Sequence, residues 1–147
     1  MTDRDRVASA LLALRAGVFI VMLMWTLDKF VNVSHAARVF ENFYGIAGIG
    51  GGLTTAIGAA ELLLIIAFAV GYQKRFSYGG VLVLHGVSTL SSYRQYLDPF
   101  NNLLFFAAWP MLAACFALYR LRDFDTRWTI RVAAARSANR RSANHSY

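Results

Sequence analysis

The chain reads as all-α: an integral membrane four-helix bundle with both termini cytoplasmic and a short interfacial helix in its first outer loop. Three observations predict this. Hydrophobic residues fill 57% of the 147 positions and charged residues only 16%, whereas soluble domains carry about 25% charged residues. Four stretches, 7–27, 52–71, 77–96 and 101–119, approach the ~20 mostly apolar residues that a spanning helix needs. Basic residues are also unevenly placed. Eleven lie before the first stretch, between the second and third, or after the fourth, while Lys29, Arg38 and Arg94 alone fall on the other side. The excess marks the cytoplasmic face.

The first stretch, 7–27, is too long for the apolar region of a signal peptide. It is followed by Asp28-Lys29-Phe30 rather than a small-residue cleavage site, so it reads as a retained helix. Asp28 and Lys29 then mark its solvated outer end. In the long loop that follows, Ser34 is placed to cap a short helix ending near Tyr44. Ala36, Val39, Phe40, Phe43 and Tyr44 give that helix an apolar stripe, with Arg38 and Glu41 off it, the pattern of a helix in the membrane interface or over the bundle. Gly45, Gly48, Gly50, Gly51 and Gly52 form a joint, not a dinucleotide fingerprint, because no strand precedes them and the spacing is wrong.

The third stretch, 77–96, is the least apolar and carries Ser88, Thr89, Ser91 and Ser92, so it is expected to face protein more than lipid. Asp98-Pro99 reads as a turn, and Trp109-Pro110 is expected to kink the fourth helix. Small-residue pairs, Ala13/Gly17 and Ala67/Gly71, suggest close helix contacts. The expected division is a transmembrane domain over 1–122 and a basic, partly disordered cytoplasmic tail over 123–147.

The net charge of +7 does not point to nucleic acid, because the charges flank apolar segments or lie in the tail. Anionic lipid is the expected partner of the tail, and the lipid bilayer that of the bundle. Cys115 is the single cysteine, so there is no intrachain disulfide, redox pair or cysteine cluster for zinc or iron–sulfur. His85 is the only histidine inside an apolar stretch, which argues against a bis-histidine haem. No metal and no covalently bound cofactor are expected.

Arg15, Glu61 and His85 each lie near the middle of an apolar stretch. A charge there costs roughly 2.5–3.5 kcal/mol on insertion scales, so the three are expected to meet. If each stretch is centred on the bilayer, a rise of about 1.5 Å per residue puts all three within roughly 5 Å of one plane. Arg15 and Glu61 then form a charge-assisted pair, beside an imidazole able to change charge near neutral pH. Ser88, Thr89, Ser92 and Tyr96 follow His85 at helical offsets, as a polar track toward the outer surface. The seven residues are the candidate ligand-binding set. A polar staple without ligand is the plain alternative.

Leu14-Arg15-Ala16-Gly17, Asp28-Lys29-Phe30 and Gly58-Ala59-Ala60-Glu61-Leu62-Leu63, ending at Gly71, together resemble the DoxX-like family of small four-helix membrane proteins, over residues 14–124. The resemblance implies a subunit or partner of a membrane redox system in the bacterial cytoplasmic (inner) membrane. Some members are small subunits of thiosulfate:quinone oxidoreductase and others are linked to thiol and oxidative-stress handling. The chain departs from the enzyme-like members in having no cysteine pair. Three readings follow: an accessory subunit, partnered by a redox enzyme or other membrane complex, whose polar site accepts a quinone or another small lipophilic ligand; a proton-coupled transporter element; and a structural scaffold subunit.

Overall fold

The computed structural model describes residues 2–130, and every regular element among them is helical. Helix α1 runs Asp3–Val31, α2 Val33–Tyr44, α3 Gly51–Ala69, α4 Lys74–Ser91, α5 Tyr93–Tyr96 and α6 Ala108–Arg120. Two 3₁₀ turns, Pro99–Asn101 and Leu103–Ala107, lead into α6. Three helical stretches, Asp3–Val31, Gly51–Ala69 and Leu103–Arg120, are long and apolar enough to cross a membrane.

Helix α1 starts before its apolar run because Thr2 and Asp5 cap it reciprocally. The Thr2 amide donates to the Asp5 carboxylate at 2.9 Å, and the Asp5 amide to the Thr2 hydroxyl at 3.3 Å. This capping box satisfies two otherwise orphaned amides. The buried positions of α1 are Ala8, Leu11, Arg15, Val18, Met22 and Thr26, a stripe at the three- and four-residue spacing of one helical face. Arg15 therefore points inward because its place on the stripe leaves no alternative.

Helix α1 packs on α3 and α6, and α4 packs on the same two helices from the other side. Leu11, Val18 and Met22 of α1 meet Ile65 and Phe68 of α3, Tyr78 and Val81 of α4, and Cys115 and Leu118 of α6 in one core. Glycines allow the closest approaches: an added Cβ would lie 3.0 Å from Lys29 at Gly58 and 2.9 Å from Leu64 at Gly80. Gly17, expected at such a contact, has nothing within 4 Å.

Helix α2 begins one residue before Ser34. Asn32 holds the cap position and no side-chain hydrogen bond caps the helix, so the Ser34 cap is not formed. Most of the apolar stripe faces inward, with Ala36 buried and Val39, Phe40 and Phe43 half-buried, whereas Tyr44, its last member, is exposed along with Arg38 and Glu41. Phe43 stacks on Phe105 at 5.9 Å, which seats α2 against the start of the last apolar stretch. Just before Trp109-Pro110 the winding changes from 3₁₀ to α at Ala107–Ala108. Pro110 has no amide proton to give the Phe106 carbonyl.

After α6 the chain turns back, and residues 121–130 lie against the α3–α4 connection. The Ile130 amide donates to the Val70 carbonyl at 2.8 Å, and Asp125 is fully buried. Residues 123–130 thus belong to the packed body rather than to a separate tail. The basic run with Arg131, Arg136, Arg140 and Arg141 lies outside the described residues. Gly71 makes the close approach possible: its φ is +65°, and an added Cβ would stand 2.6 Å from the Thr129 side chain. Gly71→Ala should lower stability by about 1–2 kcal/mol from the left-handed backbone alone and also expose the Ile130 amide. Thermal unfolding in detergent and amide exchange at Ile130 measure the two effects separately.

Candidate functional site

The polar groups inside the helices form three centres. The first is closed. Arg15 Nη1 donates to the Tyr78 hydroxyl at 3.0 Å and to Asp125 Oδ2 at 2.9 Å, while Nη2 donates to the carbonyls of Arg127 at 2.6 Å and Trp128 at 3.3 Å. The Tyr78 hydroxyl donates in turn to Asp125 Oδ2 at 2.7 Å. Arg15, Tyr78 and Asp125 are only 2%, 1% and 0% exposed. Lys74 Nζ donates to the carbonyls of Arg122 at 3.3 Å and Asp125. Within this cluster of described residues, Asp125 Oδ1 is the one side-chain atom buried without a partner.

The second centre joins α1 to α3. Lys29 Nζ lies 2.8 Å from Glu61 Oε2 and also donates to the Trp25 carbonyl at 3.2 Å. The Thr26 hydroxyl donates to the same Glu61 oxygen at 3.4 Å. The charged side chains remain 13% and 18% exposed. Lys29 has three donors, of which these contacts take two.

The third centre lies on the C-terminal half of α4, α5 and the start of α6. His85 Nε2 is 3.0 Å from the Ala108 carbonyl, so that nitrogen carries the proton and donates. Thr89 returns its hydroxyl to the His85 carbonyl at 2.7 Å, and Ser92 to that of Ser88 at 3.1 Å. The expected polar track thus spends these two donors on its own helix. Tyr96 packs between Phe106 and Trp109, with ring centroids 5.4 and 5.6 Å away. Its hydroxyl oxygen and the neighbouring Gln95 Oε1 are buried and without partners.

Arg15, Glu61 and His85 are therefore not joined: Arg15 pairs with Asp125, Glu61 with Lys29, and His85 with a carbonyl of α6. The Arg15 guanidinium reaches Gly71, where an added Cβ would be 3.3 Å away. Glu61 is eight residues before the end of α3 at Ala69, about 12 Å along the axis, and Gly71 lies two residues beyond that end. Glu61 and His85 do share a height. Gly80 faces Leu64, so in antiparallel register residue 83 is opposite Glu61, and His85 sits about 3 Å beyond.

Sequence reasoning took Lys29 for solvated charge, Lys74 for a flanking cation and Asp125 for tail, and passed over Tyr78 and Gln95. Lys29 carried a readable signal, since it continues the stripe of 15, 18, 22 and 26 by one more helical step. Among the described residues, no group of three or more His, Cys, Asp or Glu side chains is arranged to hold a metal. Comparison of the chain with protein-family models, curated proteins and solved structures gave no match.

Removing one partner of a buried ion pair strands the other charge, at a cost of about 3–5 kcal/mol. Asp125→Ala should therefore destabilise far more than a surface change. Arg15→Met combined with Asp125→Leu should recover much of the loss. A double-mutant cycle by thermal unfolding in detergent reads the coupling; additive losses would show that the pair contributes nothing.

Proposed function

We propose that the chain is a multi-pass protein of a bacterial cytoplasmic membrane, crossed by α1, α3, α4 and the Leu103–Arg120 stretch, with both termini cytoplasmic and α2 in the outer interface. The basic asymmetry supports this orientation. The outward surfaces support the environment: Leu63 on α3 and Val83 and Leu90 on α4 are 72%, 63% and 64% exposed, an arrangement that lipid favours and water penalises. α4 is the least apolar of the four, and it meets its polar cost by returning hydroxyls to its own carbonyls and by the His85–Ala108 bond.

Within that frame the chain serves as an accessory subunit of a membrane redox system, as the DoxX-like resemblance suggests, and receives a quinone or similar small lipophilic molecule beside Tyr96. One observation carries this reading: a buried hydroxyl and a buried amide oxygen, Tyr96 and Gln95, stand without partners in a frame of Phe106 and Trp109. Ligand slots are mostly apolar with a few placed polar groups. Tyr96 can donate to a quinone carbonyl, and Gln95 can accept from the hydroxyl of the reduced form. Lys29 and Glu61, near the height of His85, set the local field. Arg15 lies at the other end of the bundle, bonded to Tyr78, Asp125 and the carbonyls of Arg127 and Trp128, and takes no part in this slot.

Tyr96→Phe keeps the ring and removes the donor, so affinity for a short-chain quinone analogue should fall about tenfold, the scale of one buried hydrogen bond. His85→Leu, whose proton is already engaged, should change it less. Calorimetry on the protein in detergent decides: equal binding by wild type and Tyr96→Phe rejects the slot.

The Lys29–Glu61 pair favours a second reading, a proton-coupled transporter element, because ionisable pairs within apolar helices mark proton paths. Glu61→Gln should then abolish proton-linked uptake in liposomes, while quinone binding at Tyr96 persists.

A further inference from the structure

The two enclosed atoms at the Tyr96 slot differ in what can satisfy them. Gln95 Oε1 and the Tyr96 hydroxyl oxygen are both buried and without partners. A hydroxyl donates and accepts, whereas an amide oxygen only accepts. A ligand of either sense therefore serves Tyr96. Gln95 Oε1 is served by a donor alone.

The side chains around it in sequence do not supply that donor. Thr89 returns its hydroxyl to the His85 carbonyl at 2.7 Å, and Ser91 and Ser92 return theirs to the Ser88 carbonyl at 2.9 and 3.1 Å. His85 Nε2 is spent on the Ala108 carbonyl. Arg94 directs its Nε to the Tyr93 hydroxyl, and Asn101 and Asn102 give their amide protons to Asp98. The Tyr96 hydroxyl, next in the chain, does not meet Gln95 Oε1, since both stand without partners. The missing donor is one that a ligand can bring.

The two forms of a quinone carrier differ in this property. The oxidised ring carries two carbonyl oxygens, which only accept. Two electrons and two protons convert both to hydroxyls, which also donate. Binding the hydroquinone recovers a hydrogen bond that the chain by itself lacks at Gln95, while binding the quinone leaves that atom unpaired. A site with a buried polar group discriminates against the analogue that fails to pair it.

We propose that the slot beside Tyr96 selects the reduced, hydroxyl-bearing form of an aromatic carrier, and that Gln95 sets this selectivity. The inference rests on the slot being a ligand site and goes beyond it by naming the redox state that is bound. Tighter binding of the hydroquinone raises the midpoint potential of the bound couple, by about 30 mV for each tenfold of preference in a two-electron couple. The reaction that supplies the ligand is then the two-electron reduction of a quinone.

The test is anaerobic calorimetry on the full chain in detergent, with tetramethylbenzoquinone and tetramethylhydroquinone as probes. They share the ring and its methyl groups and differ in the protons on oxygen. Wild type should bind the hydroquinone about tenfold or more tightly than the quinone, the scale of one unmade buried hydrogen bond. Gln95→Met keeps the length of the side chain and removes the acceptor. It should weaken hydroquinone binding to the level of the quinone and leave quinone binding nearly unchanged. Equal binding of the two forms by wild type, tighter binding of the quinone, or a preference that survives in Gln95→Met overturns the proposal while the slot itself stands. Binding of neither form by folded wild type rejects the slot and the proposal together. The wild-type comparison alone is decisive if Gln95→Met does not fold.

Discussion

One guanidinium organises the inner end of this molecule. Arg15 sits on the only inward face of α1 and cannot turn away, so the fold must supply oxygen atoms to it. It does so by bringing back a segment 110 residues distant in sequence, whose aspartate and two carbonyls, with one tyrosine hydroxyl, accept from the two terminal nitrogens. The return of the chain after α6, the bare backbone at Gly71 and the inward hydroxyl of Tyr78 all answer that requirement. Desolvating an ion pair is often no gain over apolar packing, so the pair is better understood as a constraint on topology: it fixes where residues 121–130 must lie.

The helices were legible because their signals are local. Runs of about twenty apolar residues, the stripe on α2 and the low polarity of the chain depend on no distant partner. Heights were not legible. Centring every stretch on one plane treated the helices as equal rods, whereas α1 is 29 residues long and α3 is 19, with α1 running inward beyond the α3–α4 connection. A long arginine side chain leans toward the N-terminal end of its helix, which moves the charge still farther from its Cα. Both effects carry Arg15 inward and leave Glu61 to a lysine that looked like the solvated end of α1. The docking of 121–130 was hidden for another reason. Four of its contacts are to backbone carbonyls and one is from a backbone amide, and backbone groups leave no mark in a sequence.

The separation of Arg15 from Glu61 also changes what the charges within the apolar helices can do. Had the two met, the result would be a single neutral staple, with His85 as its only titratable neighbour. Each instead has its own counter-ion, and the two pairs differ in how completely they are enclosed. Arg15 and Asp125 have almost no exposed surface, whereas Lys29 and Glu61 keep a small share.

Saturation separates the two ends by role. At the Arg15 end nearly every donor has an acceptor, and Asp125 Oδ1 is the one enclosed side-chain atom there without a partner among the described residues. At the far end two enclosed atoms, the Tyr96 hydroxyl oxygen and Gln95 Oε1, have none, which is why the proposed ligand is placed there. The two ends share α4, which carries Tyr78 near its start and Thr89 near its close on one continuous helix. The Arg15–Tyr78–Asp125 cluster and the His85–Ala108 bond therefore hold α4 at two separate levels, with the close approach of Gly80 to Leu64 of α3 between them.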